Sequence, residues 1–131
     1  MIKRGTLLVC ILFTSYVTNA QEFNYHVSTA VPDTARFEIV QSSILARLMF
    51  RLDRHTGRTE QFVTTNDGGY AWQTVYRENA DNDQSDSAKP HYQIFISGTL
   101  AKQTLLMNTD TGVSWYIAED PESGLFWSLF D

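Results

Sequence analysis

The sequence predicts an all-β protein, and three observations carry that prediction. Large apolar residues alternate with polar ones at period two, as in Phe37-Glu38-Ile39 and Tyr92-Gln93-Ile94. Turn chemistry interrupts the alternation at regular intervals: Asp53 to Gly57, Gly68-Gly69, Asn108 to Gly112 and Ser123-Gly124. Residues 91–131, moved back by 55 positions, lie without a gap on residues 36–76 with eight identities in 41 positions, where chance gives about two or three. Ile39 meets Ile94, Ser42 meets Ser97, Thr56-Gly57 meets Thr111-Gly112, and Trp72 meets Trp127.

The chain opens on Met1-Ile2-Lys3-Arg4, a short basic start, followed by the apolar run 6–13 and small residues at Thr18 and Ala20. This order reads as a secretory signal peptide over residues 1–20, cleaved before Gln21. The apolar run is shorter than the about 20 residues that a membrane-spanning helix needs. Cys10, the single cysteine, lies inside that run, and Leu7-Leu8-Val9 before it lacks the small residues of a lipidation site. The expected mature domain, 21–131, therefore has no disulfide and is held by its core alone.

Phe23, Tyr25 and Val27 alternate and suit a short strand, which Pro32-Asp33 ends with a turn. Each repeat then reads as four strands. In the first copy they start at Arg36, 46–52, 58–64 and 70–76; in the second they start at His91, 101–107, 113–118 and 125–130. Leu48, Phe50 and Leu52 share one face of their strand, with Arg47, Met49 and Arg51 on the other. Asp53 and Asn108 open matched turns as acceptors for turn N–H groups. Gly57 and Gly112 close them where a positive φ returns the chain. Residues 43–49 suit either a helical turn or a bent connection. The segment 77–89 is charged and has no large apolar residue after Arg77, so it reads as a linker. The architecture expected is two antiparallel β-meanders related by a pseudo-twofold, packed through their apolar faces as a sandwich or a small barrel. Trp72 and Trp127 are expected as equivalent core anchors.

The second copy carries Tyr92-Gln93-Ile94, then Leu105-Leu106-Met107-Asn108-Thr109-Asp110-Thr111-Gly112, then Trp115. This resembles a hairpin pattern of small bacterial exported proteins that are mostly uncharacterised, and similar hairpins occur in β-propeller blades. The resemblance covers about 41 residues per copy and implies a β-hairpin and export, with no catalytic residue attached. The first copy departs from the pattern, because Glu60 stands where Trp115 stands.

The net charge of −5 becomes −7 once Lys3 and Arg4 are removed, which argues against nucleic acid or anionic membrane as a partner. No later segment is apolar enough to insert in a membrane after cleavage. The residues that could carry chemistry are dispersed. Asp81-x-Asp83-x-Ser85 has the alternate oxygen ligands of a calcium loop but lacks its glycine and its final glutamate. His26, His55 and His91 have no metal-ligand spacing, and there is no Gly-x-Ser-x-Gly elbow. No metal, cofactor or catalytic group is expected. Glu38 and Glu60 would form a carboxylate pair only if the fold brought them together. Tyr76, Tyr116 and Glu60 are the candidate ligand-binding residues, because their strand faces mix aromatic and polar groups. The reading is a periplasmic or secreted, non-enzymatic binding or interaction domain with a protein or glycan partner. A hydrolase inhibitor presenting the 77–89 loop is the alternative, and an enzyme comes third.

Overall fold

The computed structural model describes residues 31–83 and 88–130. The leader with Cys10, the cleavage position before Gln21, the alternation at Phe23 to Val27, His26 and Ser85 lie outside them. Eight strands follow in chain order: β1 (Phe37–Gln41), β2 (Met49–Asp53), β3 (Thr59–Thr64), β4 (Tyr70–Arg77), β5 (Tyr92–Phe95), β6 (Leu105–Asn108), β7 (Ser114–Asp120) and β8 (Gly124–Leu129). They form one sheet in the order β1-β2-β3-β4-β8-β7-β6-β5, curled into a nearly closed small barrel. The only helical turns among the described residues are two short 3-10 turns, Ala80–Asn82 and Ala101–Gln103. The second occupies the start of a run expected as strand, so β6 begins only at Leu105.

The turns form as their chemistry dictates. The N–H of His55 donates to Asp53 Oδ1 at 3.0 Å and that of Gly57 to the Asp53 carbonyl at 2.8 Å. The N–H of Asp110 donates to Asn108 Oδ1 at 2.9 Å and that of Gly112 to the Asn108 carbonyl at 2.8 Å. Gly57 and Gly112 have φ of +70° and +78°, a region that costs side-chain-bearing residues about 1 kcal/mol or more. Ser42 and Ser97 also match: each hydroxyl oxygen accepts from the two N–H groups two and three residues on.

The two halves are antiparallel within themselves and meet in a parallel seam, where Tyr76 pairs with Phe126 and Arg77 with Trp127. Glu78 fastens this seam. Its N–H donates to the Trp127 carbonyl at 3.0 Å, and its carboxylate accepts from Ser128 Oγ and the Leu129 N–H, both at 2.9 Å. Its own carbonyl accepts from Trp115 Nε1 at 2.9 Å.

Parallel pairing at the seam has a geometric consequence. Residues paired across the seam share a face and are 50 apart, five short of the 55-residue offset, and residues an odd number of places apart along a strand point to opposite faces. Positions matched by the 55-residue offset therefore fall on opposite faces. Tyr92, Ile94, Leu106, Trp115, Ile117 and Trp127 point inward and are buried. Their counterparts Phe37, Ile39, Arg51, Glu60, Phe62 and Trp72 share the outward face of β1–β4. The interior of the first half is built from the other set: Val40, Phe50, Leu52, Thr59 and Val75. Phe50 meets Trp127 at 5.7 Å between ring centroids, so the halves share one core. The expectation of two core tryptophans thus holds for Trp127, which is fully buried, and fails for Trp72. Of the two expected packings, the small barrel is the one that forms, as one nearly closed eight-stranded sheet rather than two sheets face to face.

Candidate binding surface

The outward face of β1–β4 is built from cross-strand rows. One row runs Ile39–Arg51–Glu60–Thr74, and the next runs Gln41–Met49–Phe62–Trp72. The Arg51 guanidinium donates to Glu60 Oε2 and lies over the Trp72 ring at 4.9 Å. Phe62 packs edge-on to Trp72 at 5.4 Å and stacks on Tyr70 at 5.2 Å. A cleft of about 340 Å³ opens beside these rows, walled by Arg36, Phe37, Arg51, Asp53, Arg58 and Glu60. Arg36 holds Asp53 through a bidentate contact at 2.8 to 3.2 Å. Burial alone would push the Asp53 carboxyl up. Hydrogen bonds from Arg36, the His55 N–H and Thr56, with the Arg36 charge, outweigh burial and hold it below its ordinary value. The same hydrogen bond and charge raise Arg36.

Glu60 is enclosed by ion pairs to Arg51 and to Arg58, the latter at 3.2 Å. It does not meet Glu38. Glu38 pairs with Leu52 on the inward face and lies 3.9 Å from Arg54, so the two carboxylates are on opposite sides of the sheet. Tyr76, 67% exposed, projects outward at the seam. It sits between a cleft of about 750 Å³ shared with Thr56, Arg58, Thr74, Asn79 and Asp81 and one of about 370 Å³ shared with Asp120, Ser123 and Phe126. Asn79 adopts a left-handed φ of +52° at the lip of the larger cleft. Asp120 in the smaller cleft accepts from the Ser123 N–H and hydroxyl and the Glu122 N–H, which keep its carboxyl below the ordinary value. Tyr116 is apart from both: it packs edge-on to Phe130 at 5.2 Å and lines a separate cleft of about 720 Å³ with Arg47, Lys102 and Glu119. The fold thus draws Glu60 and Tyr76 to one side of the barrel and leaves Tyr116 elsewhere.

One polar cluster plugs the barrel end. Arg77 lies over the rings of Trp115 at 4.7 Å and Tyr92 at 4.9 Å, inside the barrel. Asp83, with a side chain only 2% exposed, stands 3.7 Å from Arg77. It accepts from Asn108 Nδ2 at 2.8 Å and from the Tyr92 hydroxyl. The expected linker 77–89 is therefore structural in part: Arg77 ends β4 and Asp83 enters the barrel, while residues 84–87 lie outside the description. Asp83 is committed to these partners, and Asp81 is exposed, so the alternate carboxylates do not converge. His91 is buried with Nδ1 donating to the Lys89 carbonyl at 2.6 Å, and His55 lies in the Asp53 turn.

The chain matches no protein-family model, no curated protein and no solved structure.

In the sequence Asp53 is marked only as a turn former, and Arg36, Arg51 and Arg58 carry no site expectation. A signal for two positions was present. Arg51 is matched to Leu106 and Glu60 to Trp115, so charges occupy positions that are core in the other half.

Proposed function

We infer that this is an exported, non-enzymatic binding domain that takes a glycan against Tyr76. The observation that carries the reading is the setting of Tyr76: a largely exposed ring flanked by two clefts lined with hydroxyl, amide, carboxylate and guanidinium groups. A sugar offers an apolar ring face for stacking and hydroxyls at its edge. An exposed tyrosine between planar polar groups complements both. Export follows from residues 1–20, and the two halves are read as copies of one four-strand unit, as the 55-residue offset suggests. The inhibitor reading is weaker, because the described part of its loop is pinned into the barrel by Asp83. Binding of the purified protein to an oligosaccharide array, repeated with Tyr76→Ala, tests the proposal. Retention of at least one oligosaccharide class, weakened about tenfold by the substitution, is expected from the loss of about 1.4 kcal/mol. No retained oligosaccharide, or equal retention by the variant, refutes it.

A further inference from the structure

The outward face of β1–β4 carries aromatic and aliphatic residues at positions whose counterparts in the other half are core, and its charges form a self-complementary pattern. On β2, Arg51 and Asp53 follow each other along the outward side. On β3, Glu60 is the cross-strand partner of Arg51, and Arg58, whose carbonyl accepts from the Asp53 N–H at 2.8 Å, stands opposite Asp53. Positive and negative groups therefore alternate both along and across the two strands.

We propose that this face docks a second copy of the chain. Consider a twofold axis in the interface, parallel to the strands and running between β2 and β3. It places Arg51 of one copy over Glu60 of the other and Asp53 over Arg58, so both rows meet with opposite signs. The same axis sets Met49 of one copy over Phe62 of the other, and brings both Trp72 side chains into the contact. An in-plane axis across the strands, midway between the two rows, would also meet opposite signs, Arg51 over Asp53 and Glu60 over Arg58, and the paired variants below tell the two arrangements apart. Sheets packed face to face sit about 10 Å apart, a gap that Met49, Phe62 and Trp72 fill from both sides. Four strands over five residues give a footprint of roughly 300 Å². A standard interface buries about 800 Å² per partner. The dimer is accordingly a weak one, concentration-dependent in the micromolar to millimolar range. It does not rest on glycan binding, since Tyr76 lies at the rim of the face.

Sedimentation of the unmodified protein from about 10 µM to about 1 mM tests it without any variant. The expected result is a shift from monomer to dimer as concentration rises. Two variants then assign the face: Arg51→Glu, which leaves two acidic groups at the centre, and Glu60→Arg, which leaves two basic ones. Each should lose dimerisation by tenfold or more alone, and an equimolar mixture of the two should regain it, because only the mixed pair meets with opposite charges. Repair within one chain cannot explain such a rescue. A protein that stays monomeric throughout the range overturns the proposal. So does a wild-type dimer whose two folded variants still self-associate, or whose mixture fails to recover.

Discussion

Replacing Trp127 and Trp72 by Ala, one at a time, probes the inversion of faces directly. Trp127 is fully buried between the halves, with its ring against Phe50. A buried aromatic side chain removes roughly 150–250 Å² from water, and at about 25 cal/mol per Å² that is about 4–6 kcal/mol. One effect works against this. Trp127 Nε1 is buried without a hydrogen-bond partner, and deleting an unsatisfied donor returns about 1 kcal/mol or more. The expected cost of Trp127→Ala is therefore about 3–5 kcal/mol, a large share of a small domain's stability. Trp72 lies half-buried on the outward face. Replacing it removes roughly half that burial together with the edge contact to Phe62 and the Arg51 guanidinium over its ring, about 2–3 kcal/mol in all. Urea melts of the two variants, run dilute and compared at equal slope, should differ in unfolding free energy by about 1–2 kcal/mol. Equal destabilisation by the two substitutions would refute the face assignment. So would a greater loss at Trp72.

Three further outcomes are expected. Gly57→Ala should cost at least about 2 kcal/mol, because an added Cβ would lie 2.6 Å from the Tyr92 ring as well as requiring φ of +70°. Gly112→Ala meets open space and should cost only about 1 kcal/mol in the same melts. Asp83→Ala removes the carboxylate that accepts from the Tyr92 hydroxyl and Asn108 Nδ2 and faces Arg77, and should lower stability by about 3 kcal/mol in chemical denaturation, against less than about 0.5 for the exposed Asp81→Ala. Asp53, Asp67 and Asp120 all sit below their ordinary values in the folded chain. Carboxylates depressed in this way stabilise the fold above about pH 4 and lose that contribution as pH falls through the depressed values. Thermal melts between neutral and acid pH should show the loss, and Asp53→Asn should flatten the curve.

What the sequence revealed was local. Strand existence followed from alternation at Phe37-Glu38-Ile39 and Tyr92-Gln93-Ile94, and the Asp53 and Asn108 turns followed from side-chain acceptors and a closing glycine. Those features depend on neighbours a few residues away. The inversion of faces depends on a parallel contact between Tyr76–Arg77 and Phe126–Trp127, 50 residues apart, which no local pattern encodes. Trp72 and Trp127 therefore look alike in sequence and are placed on opposite sides of one sheet. Asp83 was obscured for a related reason. In a run of acidic residues, nothing distinguishes the one carboxylate that Arg77, Tyr92 and Asn108 enclose from those in water. The mixed strand face of Tyr76 is legible in the sequence, and its exposure between two clefts is not. Arg51 and Glu60 became meaningful only when their matched positions, Leu106 and Trp115, were seen to be core.

By the 55-residue offset, the outward face of the first half is the counterpart of the core face of the second. Fluorine NMR of protein labelled with fluorotryptophan, at low concentration and in water against heavy water, tests it most directly. Trp72→Phe, Trp115→Phe and Trp127→Phe would assign the three resonances. A solvent isotope shift is expected at Trp72 and none at the fully buried Trp115 and Trp127. The same shift at Trp72 and Trp127, or none at either, would contradict it.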